Sequence, residues 1–138
     1  MNIKSLMVGD WVQLKTYGVS EKFEMTEAYI FVKVAEIGSG LITVEYNNDI
    51  KEPYRICENT EIEPIPLTPE ILEKNGFKLD KEDGWWWLTP KIGITFWEEG
   101  DIELEFENTP SSVDIHIKYL HQLQQALRLC NVSKEIEL

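Results

Sequence analysis

Between Ile92 and Phe106 the chain alternates with a period of two. Ile92, Ile94 and Phe96 share one parity, and after Glu98-Glu99-Gly100 the parity resumes at Ile102, Leu104 and Phe106. Alternate residues of an extended chain point to opposite faces, whereas a helix would scatter these six side chains around its axis. The pattern predicts two antiparallel strands joined by a three-residue loop, with Gly100 in the left-handed position. One face is apolar; the other carries Thr95, Trp97, Asp101, Glu103 and Glu105.

The pattern extends in both directions. Phe77–Asp80 reads as a strand paired with Trp85–Leu88 across Lys81-Glu82-Asp83-Gly84, so that Phe77–Phe106 is expected to form an antiparallel meander. With a four-residue first loop, Phe77, Leu79, Trp86 and Leu88 join the apolar face, and Trp85 and Trp87 join the other. Thr68-Pro69-Glu70 opens a short helix, with Thr68 as N-cap, Pro69 at the first helical position and Asn75-Gly76 at the stop. Val113–Ile117 alternates as a brief strand. From about Lys118 to Cys130, the residues Leu120, Leu123, Leu127 and Cys130 mark one stripe of a helix. His121, Gln122, Gln124 and Gln125 lie mostly off that stripe. Asn131 can end the helix, and Glu135–Leu138 is expected as a last strand.

Residues 1–66 read differently. Gly9-Asp10 turns into a strand at Trp11–Leu14, residues 15–27 read as a polar loop, and Tyr29–Ile37 is a second strand. Gly38-Ser39-Gly40 turns into Leu41–Tyr46, Asn47-Asn48-Asp49 turns again, and a weaker strand covers about 51–56. Glu61–Pro66 is extended. A strand opened by Gly-Asp, a long loop, a three-strand meander and a short last strand resemble SH3-like barrels. The expected class is therefore α+β: an N-terminal SH3-like small β-barrel over 1–66, then 67–138 as an antiparallel β-meander packed with a C-terminal α-helix. Such a fold carries no function by itself.

At 138 residues, 43% hydrophobic and 28% charged, the chain has ordinary globular composition, which argues against extensive disorder. No apolar run approaches the roughly 20 residues of a membrane span, and the opening MNIKSLMVGD has no signal-peptide core. A cytoplasmic setting is expected. The net charge is −12. No basic stripe appears, so direct nucleic-acid binding is not expected. Glu98, Glu99, Asp101, Glu103, Glu105 and Glu107 form the longest acidic stretch, a field that repels phosphate and attracts cations. Solubility alone also accounts for such a stretch. Cys57 and Cys130 lack CxxC spacing and read as reduced, mostly buried thiols.

Two stretches carry a resemblance. Ile65-Pro66-Leu67-Thr68-Pro69-Glu70-Ile71-Leu72-Glu73-Lys74-Asn75-Gly76-Phe77 and Tyr119–Cys130, with the Lys134–Leu138 tail, resemble a group of small uncharacterised bacterial proteins, many from prophage-like or mobile elements. The resemblance takes in the Gly-Asp-opened N-terminus. It implies a bacterial cytoplasmic setting and brings no activity, cofactor or catalytic residue.

The residues themselves offer little chemistry. No GxSxG, P-loop, GxGxxG or HExxH motif occurs. His116 and His121 could make a metal pair only with a third ligand such as Asp114 and convergent geometry. No cofactor and no metal are expected. The outward set Trp85, Trp87, Trp97, Asp101, Glu103 and Glu105 is the candidate partner-binding face, because indoles beside carboxylates suit Lys and Arg side chains. The alternative for these indoles is burial where the meander meets the barrel or the C-terminal helix. Four readings remain at this point. The first is a non-enzymatic protein-interaction module, such as an accessory protein of a mobile element, whose partner has a basic surface. The second is an acidic nucleic-acid-mimicking inhibitor of a DNA-binding protein. An undetected enzyme or small-ligand binder is the third, and an RNA-binding barrel groove the fourth. Strand edges of the meander leave a homodimer open.

Overall fold

The computed structural model describes residues 5–19, 25–46, 54–108 and 111–138. It divides into two compact units, Met1–Ile65 and Pro66–Leu138. The fold is α+β, with two antiparallel five-stranded sheets and a C-terminal helix.

The first unit contains β1 (Trp11–Val19), β2 (Met25–Ile37), β3 (Leu41–Tyr46), β4 (Tyr54–Glu58) and β5 (Ile62–Pro64), in the spatial order β4-β3-β2-β1-β5. The Gly-Asp turn is built as its residue types demand. Gly9 sits at φ 91° and its N–H donates to the Val34 carbonyl at 2.7 Å, while the buried Asp10 carboxylate accepts from the Met7 N–H at 2.8 Å. Leu6, Val12, Leu14, Val32, Val34, Ile42, Val44, Cys57 and Ile62 form the core. Of the loop expected over 15–27, residues 15–19 and 25–27 are strand instead, and 20–24 lie outside the described residues. β1 and β2 continue as one long hairpin through Val19↔Met25; Thr16, Tyr17 and Val19 favour extended backbone despite polar neighbours. A bulge at Ala35 shifts the register between Val34 and Glu36. The fourth strand begins at Tyr54, and the expected 47–49 turn and residues 51–53 lie outside the described residues. A 3-10 turn, Asn59–Glu61, leads into β5. Among the described residues the sheet stays open, and no closed barrel is found.

The second unit contains α1 (Pro69–Lys74), β6 (Lys78–Leu79), β7 (Trp86–Thr89), β8 (Ile92–Phe96), β9 (Ile102–Asn108), β10 (Ser111–Ile117) and α2 (Leu120–Leu129). Thr68 Oγ1 caps α1 by accepting from the Ile71 N–H at 3.4 Å, and Gly76 at φ 87° ends it while Phe77 N–H donates to Leu72 O. Gly100, at φ 78°, closes the β8–β9 hairpin, with Trp97 N–H donating to Asp101 O at 2.8 Å. The strands expected over Phe77–Phe106 are β6 to β9 of a five-stranded sheet, ordered β10-β9-β8-β7-β6. It gains β10, because Val113, Ile115 and Ile117 pair with Phe106, Leu104 and Ile102. Ile92, Ile94, Ile102, Leu104, Phe106 and Ile117 are buried on the inner face, each contributing about 1.5–3 kcal/mol through burial.

In α2, Leu120, Leu123 and Leu127 are buried as the stripe requires, but Cys130 is exposed, and His121 and Gln124 are buried with them. The buried arc is wider than the leucine line. His121 stacks on Tyr119 at 5.9 Å. Asn131, at φ 56°, ends the helix. Residues 135–138 form no strand. Instead the buried Asn75 side chain donates to Glu137 O at 2.8 Å and accepts from Glu137 N–H at 2.7 Å. One amide group supplies both hydrogen bonds a neighbouring strand would have made, and Ile136 is buried beside that contact.

Candidate functional site

Pairing carries one row of residues across the outer face of the second sheet. Lys78 stands opposite Trp87, Trp87 opposite Gly93, Gly93 opposite Glu105, and Glu105 opposite Asp114. The next row sets Thr95 against Glu103 and Glu103 against His116. The face thus collects Trp87, Glu103 and Glu105 of the six expected residues, with Trp85 and Trp97 at the strand ends.

The two neighbouring indoles are held in place. Trp85 and Trp87 stack at 5.8 Å, with planes 26° apart. One carboxylate orients both: Asp83 Oδ1 accepts from the Trp85 backbone N–H at 2.8 Å, and Oδ2 from Trp87 Nε1–H at 3.2 Å. Beneath them Thr95 Oγ1 donates to Gly84 O at 3.1 Å, tying down the loop before Trp85. Trp87 lies flat on Gly93, where an added Cβ would meet the ring at 2.6 Å. Gly93 is a seat for an indole, not a turn. Trp85 and Trp87 are half-buried, and Trp97 is 53% exposed.

Some of the expected acids already have partners. Glu103 Oε2 accepts from Trp97 Nε1–H at 2.8 Å. Asp101 Oδ1 lies 3.0 Å from His116 Nδ1, and this hydrogen bond, then the attraction of Asp101, raises the histidine above its ordinary value. Among the described residues Glu105, Glu107 and Asp114 have no cation against them. Partial desolvation, then Asp114, Glu107 and Glu103 in turn, holds the Glu105 carboxyl above its ordinary value. Like charges directly opposite in a sheet repel, and a bound cation would relieve this crowding. Among the described residues no ammonium lies over Trp85, Trp87 or Trp97.

Gly93, Asp83, Asp114 and His116 complete the face and were missed by the sequence reading. The strand alternation of residues 113–117 carried the signal for the last two, once β10 is set against β9. His116, His121 and Asp114 do not converge: His116 bonds Asp101, His121 is buried against Tyr119, and no group of three candidate ligands occurs among the described residues. Both cysteines are free. Burial pushes the Cys57 thiol up, outweighing the opposing pull of Arg55. An open cavity of about 430 Å³ lies at the end of α2, where Leu129, Cys130 and Asn131 face Lys91, Phe106 and Glu107. Its described lining holds neither a histidine nor a carboxylate pair. No helix among the described residues is long and apolar enough to cross a membrane. No protein-family model, curated protein or solved structure matches the chain.

Proposed function

We propose that this protein is a non-enzymatic interaction module whose second sheet receives a basic segment of a partner protein on the Trp85–Trp87–Glu105–Asp114 surface. The observation that carries the reading is the juxtaposition of an indole platform seated on Gly93 with carboxylates that lack a cation. An arginine or lysine laid across it gains ring and carboxylate contacts together. Trp97, Asp101 and Glu103 flank the surface as already paired groups. The connectivity of the first sheet, with its 3-10 turn between β4 and β5 and its return of β5 to β1, supports an SH3-like reading of that unit. The resemblance of the 65–77 and 119–130 stretches supports a bacterial cytoplasmic setting and an accessory role in a mobile element.

The test is fluorescence anisotropy with an arginine-rich and a lysine-rich peptide. Trp87→Ala is expected to weaken binding roughly thirtyfold, the loss typical of an interface hot spot. Gly93→Ala is expected to do the same by evicting Trp87 while leaving the strand backbone unstrained. Failure of both peptides to bind, or equal binding by the two folded variants, would overturn the proposal.

A second reading rests on Glu103, Glu105 and Glu107, which recur along β9 at about 6.6 Å with Asp114 beside them. Such a row can imitate a phosphate backbone toward a DNA-binding protein. The readings part on the indoles: a mimic would tolerate Trp87→Ala and fail with Glu105→Lys, measured as displacement of DNA from the partner.

A further inference from the structure

The strand order ends at β10, which has β9 on one side. Among the described residues no strand pairs with its other side. The opposite edge, β6, is two residues long, whereas β10 has seven. Exposed edges of that length are templates for another strand. On the inner-face parity, Val113 is 51% and Ile115 37% exposed, although Ile117 on the same parity is buried. On the outer-face parity, Asp114 and His116 stand two residues apart, both exposed.

We propose that the outer edge of β10 pairs with β10 of a second copy of this chain, antiparallel, about a two-fold axis at Ile115. The register follows from side-chain chemistry. In an antiparallel pair, residues directly opposite share a face. With the axis at Ile115, Asp114 of each copy meets His116 of the other, Ile115 meets Ile115, and Val113 meets Ile117. Both ion pairs form at once because a two-fold interface is self-complementary. Moving the axis to Asp114 would set two carboxylates face to face. A lone charge on an edge strand blocks pairing; an acid and a base placed symmetrically about an isoleucine select one register instead. The hydrogen bond to Asp101 raises His116 above its ordinary value and so favours the imidazolium, which in the second copy would also offset the crowding of Asp114 with Glu105. The two sheets become one, and the two outer faces become continuous. The inference stands on the edge alone and does not depend on the basic-segment reading.

Sedimentation velocity of the full chain over a concentration series tests it. The expected result is a reversible dimer. Asp114→His and His116→Asp are each expected to weaken it about tenfold by creating like-charge pairs, and the double exchange is expected to restore it. Circular dichroism verifies folding of each variant. As a test that leaves both charges in place, Ile115→Cys in a Cys130→Ser background should form an intermolecular disulfide under mild oxidation. Val113→Cys in the same background should not, since its counterpart is Ile117. A protein that stays monomeric at the concentration of an NMR sample overturns the proposal. So does a dimer indifferent to the single exchanges, or one that cross-links through position 113 and not through 115.

Discussion

Each sheet sets tryptophan among charges, and the two do so in opposite ways. In the first, Trp11 is 2% exposed, Lys33 stands directly opposite it, and the Lys33 ammonium lies 4.9 Å from the ring centroid. The next residue across, Glu45, pairs with Lys33 in register. Indole, cation and acid are all supplied by the chain. In the second sheet the corresponding row reads Lys78, Trp87, Gly93, Glu105, Asp114: the lysine stands on the far side of the indole, and a glycine occupies the place between indole and acid. The first arrangement is a finished structural contact; the second has no cation between its ring and its carboxylates. The contrast teaches that an aromatic–acid combination is informative only when the position between its members is known.

The sharpest way to break this comparison is to remove an indole from each unit. Trp11→Ala is expected to cost about 3–5 kcal/mol of unfolding free energy, as for a buried aromatic. Trp97→Ala is expected to cost less than about 1 kcal/mol, as for a surface side chain. Urea denaturation measures both, and similar costs would erase the distinction.

The acids supply the next test. A carboxyl held above its ordinary value binds its proton more tightly folded than unfolded, so Glu105 weakens the fold as pH rises above 4.5. Glu105→Gln is therefore expected to stabilise the protein at neutral pH by less than about 1 kcal/mol. That gain should vanish once pH falls below the ordinary carboxyl value. A gain that persists in acid would mean that charge crowding is not its cause.

The smallest effect concerns His116. Its value is raised above 6.5 by Asp101, so the stability it contributes is fully present below 6.5 and is lost as pH rises through the folded value. NMR titration should place His116 above 6.5, and Asp101→Asn should bring it back down. An unchanged midpoint in that variant would exclude Asp101 as the cause.

The β8–β9 hairpin was legible because its signals are local: strict alternation and a glycine in the loop. The same alternation put Glu103 and Glu105 on the face of Trp87. What escaped depends on neighbours remote in the chain. The alternation of residues 113–117 names a strand but not its partner, so Asp114 and His116 could not be placed beside Glu105 and Glu103. Gly93 between two isoleucines signals a close approach, but only the β7–β8 register reveals Trp87 as the group approaching. Residues 15–19 and 25–27 read as loop because strands with polar side chains resemble a loop until their pairing is known. His121 and Gln124 were misplaced because a leucine line marks the centre of a buried arc and not its width. The tail at 135–138 was expected to pair as a strand, and a single asparagine took the strand's place.

That asparagine bears on the order of events in folding. Asn75 and Glu137 are 62 positions apart, so their contact closes a loop spanning most of the second unit. The entropy of that closure must be overcome before the contact gives anything back. The β8–β9 hairpin, with its three-residue loop, needs no such wait. The clasp on Glu137 therefore belongs to the end of the reaction. Asn75→Ala should leave the refolding arm of a chevron plot in place and shift the unfolding arm upward. The group that holds the tail sets how long the folded second unit lasts, and contributes little to how quickly it forms.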